Sequence, residues 1–203
     1  MRRAVATTLL VLVGAVEDAI VRVGAQPNPA TDDRAILQLV IDEIGTRVSS
    51  PILAGPRQGG PIVVVEGGRP LCREKVYERD PPWPLMCGGN RRGFAEILTK
   101  GTQLSEQDRT ELVQSVAERN TTWKDLPSID SRKIVWLPRQ EYIDGEYPRN
   151  LAVVSLPGYS KSGYAVLAAT FSCGNVCGTG WYVVLHHVDG AWRILKFIST
   201  GIS

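Results

Sequence analysis

A chain of 203 residues, 43% hydrophobic and 22% charged, carries enough apolar material for one substantial core and too much for general disorder. Its net charge of +2 is too small for the electrostatic footprint of a nucleic-acid binder. Arg91-Arg92, a tight basic pair outside the N-terminus, reads as part of a solvated loop.

Arg2 and Arg3 precede an uncharged run from Ala4 to Val16, the length of a secretory signal's apolar core and too short to span a bilayer. Val13-Gly14-Ala15 and Val23-Gly24-Ala25 both offer small residues for cleavage. The second starts the mature chain at Gln26-Pro27 but leaves Glu17, Asp18 and Arg22 before the cut. Residues 1–25 are therefore expected to be a signal peptide or N-terminal segment, with an uncleaved anchor or a different start codon as alternatives. Residues 26–203 are expected to form a single exported domain with no membrane span in the mature chain. No cysteine lies near the end of the apolar run, which argues against a lipid anchor.

After a Pro/Asn linker at 26–30, Thr31 is placed to cap a helix whose first turn carries Asp32 and Asp33, favourable at the positive end of a helix dipole. Ile36, Leu37, Val40, Ile41 and Ile44 recur at helical spacing, and Gly45 is the expected stop. Pro51 to Pro61 reads as loop and Ile62–Val65 as a short buried strand. Asp80-Pro81-Pro82-Trp83-Pro84 cannot be regular structure; Trp83 either covers the edge of the core or contacts a partner. Gly93 to Lys100 suggests a short helix. Ser105, with Asp108 three residues on, signals the start of another, whose apolar face is Leu112, Val113, Val116 and Ala117 and whose end is near Asn120. Asn120-Thr121-Thr122 is formally a glycosylation sequon, which means little if the source is bacterial.

Strands are expected at Lys133–Leu137, stopped by Pro138, and then at 151–156, 164–172, 181–188 and 192–197. Asp189-Gly190 is the strongest hairpin signal. Short connections between the last four imply an antiparallel meander. Helices come early and strands late, so the class is α+β: an N-terminal helix and a mixed middle region packed on a C-terminal antiparallel β-meander.

The four cysteines (Cys72, Cys87, Cys173, Cys177) allow three pairings. The simplest joins Cys72 to Cys87 and Cys173 to Cys177, contributing about 3 and about 2 kcal/mol by loop entropy. A zinc site expects tight Cys-x-x-Cys knuckles and a thioredoxin-type centre expects Cys-x-x-Cys opening a helix. Neither pattern fits as well as structural disulfides.

Val154-Ser155-Leu156, Tyr164-Ala165-Val166-Leu167, Cys173 to Gly180 with Trp181-Tyr182-Val183-Val184-Leu185, Asp189-Gly190-Ala191-Trp192-Arg193-Ile194 and the terminal Ile202-Ser203 together resemble a group of uncharacterised bacterial secreted or envelope proteins. The pattern of that group is C-G-x-x-C-G-x-G-Y-Y-V-L-L, then D-G-x-W-K-I and a closing I-S. Its Tyr-Tyr pair is Trp181-Tyr182 here. The resemblance implies a fold and a location outside the cytoplasm, and carries no catalytic residues. The closing hairpin is also similar to the last strands of NTF2-like domains, an analogy of fold alone.

No catalytic constellation is readable. His186 and His187 are neighbours on a strand and point to opposite faces, so they form neither a metal pair nor a dyad. Gly158-Tyr159-Ser160-Lys161-Ser162 lacks the final glycine and the context of a nucleophile elbow. Gly174, Gly178 and Gly180 fit turn positions around a small ring rather than a phosphate cradle. Asp42-Glu43 and Glu141, Asp144, Glu146 read as solvated faces, and nothing pairs two carboxylates as a glycosidase requires. Trp181, Tyr182 and Trp192 fill the core or line a groove, and with Trp83 are the candidate contacts for a ligand or protein partner. The functional expectation is a non-enzymatic binding or interaction domain without cofactor, metal or nucleic acid; a hydrolase with a site assembled from distant residues is the alternative. Exported protein denatured without reductant is expected to expose no free thiol to a thiol reagent; four reactive thiols before reduction contradict the disulfides.

Overall fold

A computed structural model describes residues 29–48, 61–68, 90–121, 124–129, 134–143, 150–174 and 177–202. Seven strands form one mixed sheet: β1 (Ile62–Val65), β2 (Ile134–Leu137), β3 (Leu151–Val154), β4 (Gly158–Tyr159), β5 (Tyr164–Gly174), β6 (Cys177–Val188) and β7 (Ala191–Ile202). Their order is β2-β1-β3-β5-β6-β7, with β4 added beside β5. The helices are α1 (Pro29–Val48), α2 (Asn90–Gly101), α3 (Glu106–Arg119) and the short α4 (Arg139–Ile143). The α+β class and the antiparallel meander β3-β5-β6-β7 are as expected. What the sequence did not reveal is the parallel edge, where β1 lies between β2 and β3 and runs parallel to both.

Helices cover both faces of the sheet. Ile36, Leu37, Val40, Ile41 and Ile44 of α1, each at most 1% exposed, pack on one face against Leu167, Phe171, Trp181, Val183 and Leu185. Full burial of each such side chain contributes about 1.5–3 kcal/mol. Phe94 and Leu98 of α2 and Leu112, Val113 and Val116 of α3 pack on the other face against Val166, Tyr182 and Val184. Because alternate strand residues serve two cores, the central strands read as continuous apolar runs. Every residue from Leu151 to Val154 is buried.

Three expected helix boundaries move. Helix α2 opens at Asn90 rather than Gly93, so Arg91-Arg92 belongs to its first turn and not to a loop. Helix α1 opens at Pro29, a favoured first position, which places Thr31 inside the helix rather than at its cap. Gly45 also lies inside, since α1 runs on to Val48. A Cβ at Gly45 would sit 3.0 Å from Ile62 Cδ1, so the glycine is a close-approach point between α1 and β1 rather than a stop. Ser105 does cap α3: its hydroxyl accepts the Asp108 amide at 3.1 Å.

The last hairpin turns through Asp189 (φ 53°) and Gly190 (φ 80°), two left-handed residues that match a type I′ turn. Gly174 pairs with Cys177, and the register shifts between Ser172 and Gly174, leaving Cys173 as the inserted residue of the backbone ladder. The side chains of Cys173 and Cys177, and all of Cys72, Cys87 and Trp83, lie outside the described residues, as does the expected signal segment. The outer strand β7 takes two further register shifts, which leave Leu195 and Thr200 unpaired with β6 and increase the local twist. Together with exposed Arg193 and Lys196, these irregularities oppose edge-to-edge pairing. Among the described residues no helix is long and apolar enough to cross a membrane.

Strands β3 and β4 run along the same side of β5, with the register advancing by one residue between them. Pro157, at the break, has no amide proton to give the ladder. Ser155 bridges the gap, donating its amide to Ala168 O at 2.9 Å and accepting the Ala168 amide on its hydroxyl at 2.9 Å. Beyond the break, Gly158 lies directly under α3. A Cβ there would meet the Val116 side chain and amide, with Val116 Cα at 2.8 Å. Because the obstacle is helix backbone, Gly158→Ala is expected to cost about 3 kcal/mol, the upper end of ordinary overpacking, read from urea unfolding; a loss under about 0.5 kcal/mol contradicts this contact.

Candidate functional site

Two polar regions stand out against this apolar frame. The first is a buried seam joining α1, α3 and the segment 155–162. Asn120, 1% exposed, caps α3 and turns its amide on Leu156: its Oδ1 accepts the Leu156 amide at 2.8 Å and its Nδ2 donates to Leu156 O at 3.0 Å. Arg119 forks onto Asp33, Nη1 to Oδ1 at 2.9 Å and Nη2 to Oδ2 at 2.6 Å, and also donates to Pro157 O. The Tyr159 hydroxyl donates to Asp33 Oδ1 at 2.6 Å, while the Tyr159 amide reaches Ser115 Oγ at 2.9 Å. Burial, reinforced by the bond to Asp33, raises the Tyr159 hydroxyl well above its ordinary value. Burial opposes the charge on Arg119, but its bonds to Asp33 prevail and raise its pKa. Every charge in this seam is answered by a partner, as a buried ion pair requires.

Asp108 extends the seam. It accepts the Ser105 hydroxyl at 2.5 Å and the hydroxyl of Ser162. Burial pushes its carboxyl upward, but hydrogen bonds from Ser105, Ser162 and Ser160 outweigh that and hold it below the ordinary value of 3.8. Ser160 is 3% exposed and closes a tight turn, its hydroxyl accepting the Tyr164 amide at 3.3 Å. The serines here serve the turn and the carboxylate.

The second region is an open cleft of about 490 Å³ lined by Glu66, Asp125, Leu126, Ser128, Trp136, Arg139 and Gln140. It sits beyond the C-terminal ends of the parallel strands β1 and β2, where open sheets with parallel strands collect ligands. Glu66 follows β1 directly, and its amide bonds Leu137 O of β2 at 2.8 Å. Pro138 ends β2 and brings Arg139 and Gln140 into the first turn of α4. The Gly68–Lys124 bridge, with the Gly68 amide 2.7 Å from Lys124 O, ties down the wall that carries Asp125, Leu126 and Ser128. Trp136 and Leu126, both half-buried, join the α1-side core to this cleft.

The residues singled out from sequence scatter. Trp181 is 8% exposed and meets Phe197 edge-on at 5.8 Å; Tyr182 is 5% exposed and tilts against Phe94 at 4.4 Å. Burial pushes the Tyr182 hydroxyl up to about 12. Both are core residues on opposite faces. Half-buried Trp192 donates to Asp32 Oδ1 at 3.1 Å and lies between Tyr159 and His187, at 5.8 and 5.1 Å. His186 stacks on Tyr164 at 4.2 Å, so the two histidines occupy opposite faces as strand alternation requires. Glu141 is exposed on α4, and Asp144 and Glu146 lie outside the described residues. Among the described residues no group of three or more His, Cys, Asp and Glu side chains is placed to hold a metal.

The cleft residues were not legible as a site. Glu66 and Arg139 each follow the end of a strand, which is the usable signal, but only parallel pairing of β1 and β2 turns those positions into one wall. No family model, no curated protein and no solved structure matches the chain; the fold is a mixed-sheet α+β domain with helices on both faces, defined by its own topology.

A pH dependence follows from Asp108. A carboxyl whose folded value lies below its unfolded value adds stability above about pH 4, and that stability is lost as pH falls through the folded value. Asp108→Asn is therefore expected to flatten the acid limb of unfolding free energy between about pH 4 and pH 2; an unchanged limb excludes Asp108 as its source.

Proposed function

We propose that the chain is an exported bacterial protein whose mature domain binds a ligand without turning it over, and that the cleft beyond β1 and β2 is its binding site. The carrying observation is the composition of the cleft: Glu66, Asp125 and Arg139 line one cleft together with Trp136, whereas the seam matches each of its charges internally. Export rests on Arg2, Arg3 and the apolar run 4–16, and on the resemblance to secreted and envelope proteins; Cys173–Cys177 and Cys72–Cys87 disulfides belong to the same reading.

Native mass spectrometry of protein recovered from its own compartment tests the binding role. Wild type is expected to retain a co-purifying mass that Trp136→Ala and Arg139→Ala both lose. A bare polypeptide mass, or an adduct indifferent to both substitutions, removes the cleft from consideration. Edman sequencing of the same material is expected to begin after residue 15 or 25; an intact N-terminus counts against cleavage.

A hydrolase remains the second reading, favoured by one observation: Glu66 and Asp125 line a common cleft, and a two-carboxylate mechanism draws both of its groups from one cleft. Turnover of aryl glycosides that disappears in both Glu66→Gln and Asp125→Asn would establish it in place of simple binding.

A further inference from the structure

The chemistry of the cleft narrows its ligand, and the inference rests on the binding role proposed for that cleft. We infer that it takes a neutral saccharide, with Trp136 as the platform for one face of a sugar ring and Glu66, Asp125 and Arg139 as hydrogen-bonding partners for its hydroxyls.

Three observations carry this. First, the charges are of both signs: two carboxylates and one guanidinium line the same space. An anion meets Glu66 and Asp125, and a cation meets Arg139, so neither finds a uniform field. A neutral ligand with several hydroxyls avoids that conflict, because each hydroxyl donates to a carboxylate or accepts from a guanidinium. Second, these groups are planar forks. Carboxylate and guanidinium each offer two parallel hydrogen-bonding positions, matching the spacing of neighbouring hydroxyls on a ring. Among the described residues no side-chain hydrogen bond or ion pair engages Glu66, Asp125 or Arg139. The seam shows the contrast, since Asp33 and Arg119 saturate each other.

Third, the apolar part is small. Trp136 and Leu126 are its apolar residues, too little surface to reward an acyl chain, which needs a deep apolar enclosure. An indole with a wet rim suits a ligand with one apolar face and polar edges, and a pyranose presents carbon-bound hydrogens on a face and hydroxyls at its edge. Trp136 is held for this use: Val64 pairs with it across the ladder, and it packs against the α1-side core. The cleft is open rather than enclosed, which admits a chain of sugars better than a single one.

The test follows the Trp136 indole N–H resonance of full-length mature protein during titration with a panel of tetrasaccharides (α- and β-glucan, mannan and chitin series), and separately with choline, glycylglycine and inorganic phosphate. At least one tetrasaccharide is expected to shift that resonance saturably, with its monosaccharide weaker by about tenfold. Trp136→Ala, titrated by calorimetry because it lacks the indole reporter, is expected to bind no tetrasaccharide, and Glu66→Gln and Asp125→Asn each weaken binding by about tenfold, the loss of roughly one charged hydrogen bond. Urea midpoints of Glu66→Gln and Asp125→Asn are expected to match wild type, which separates lost binding from lost folding; Trp136→Ala, which gives up packing against the α1-side core, is expected to unfold at lower urea and is titrated without denaturant. If the panel leaves the resonance unmoved while choline, glycylglycine or phosphate shifts it, the saccharide class is wrong and the cleft remains a binding site. If nothing shifts it, both readings fall. A tetrasaccharide that binds Trp136→Ala undiminished binds elsewhere and also overturns the inference.

Discussion

The fold depends on one substitution of partners. A strand approaching Pro157 cannot complete its ladder with β5, because proline has no amide proton and the register advances there by a residue. Helix α3 supplies what the ladder lacks. Asn120 takes both backbone groups of Leu156, Arg119 takes the carbonyl of Pro157, and Ser115 takes the amide of Tyr159. Buried backbone groups must be satisfied somewhere, and here three side chains of one helix meet four of them. Gly158 permits the approach because it places no Cβ against the Val116 backbone.

That docking orders the rest. With α3 seated on the β3–β4 break, its apolar face meets Val166 and Val184 on one side of the sheet. Arg119 reaches past the strand to Asp33 near the start of α1 on the other face, and Tyr159 and Trp192 complete the tie. The two helical layers are thus joined by a polar seam around the sheet as well as through it. Such a pair specifies an arrangement more than it adds net stability, because desolvating both ions offsets most of their attraction. The cleft sits away from this seam, at the ends of β1 and β2, where charged side chains remain available.

Much of the architecture was legible. Helical periodicity located α1 and α3, the Ser105–Asp108 spacing located a cap, and Asp189-Gly190 located a hairpin, because each signal is local: a turn's dihedral angles or a helix's spacing is written within a few residues. The failures are also informative. Gly45 carries the ordinary signature of a helix stop, yet the helix runs on to Val48, and the glycine instead marks a close approach, where a Cβ would sit 3.0 Å from Ile62 Cδ1. The aromatic residues Trp181 and Tyr182 drew attention as ligand contacts, but alternation sends them to opposite cores. Trp136, on a short strand with no distinguishing neighbours, lines the cleft.

Sequence by itself determined the class, the antiparallel meander, two of the helices with their apolar faces, and the opposite faces taken by His186 and His187, since all of these follow from periodicity and neighbouring residues. Tertiary structure decided the parallel edge, the double helical cover, the Asp33–Arg119–Tyr159 seam and the cleft. Those features join residues that are 36 to 126 positions apart in the hydrogen bonds of the seam, and about 60 to 70 apart in the cleft, as between Glu66 and Asp125 or Arg139. A carboxylate or guanidinium reads alike in a sequence whether it will face water, a partner across the sheet or a ligand; which of these it meets depends on chain closure that no local pattern encodes.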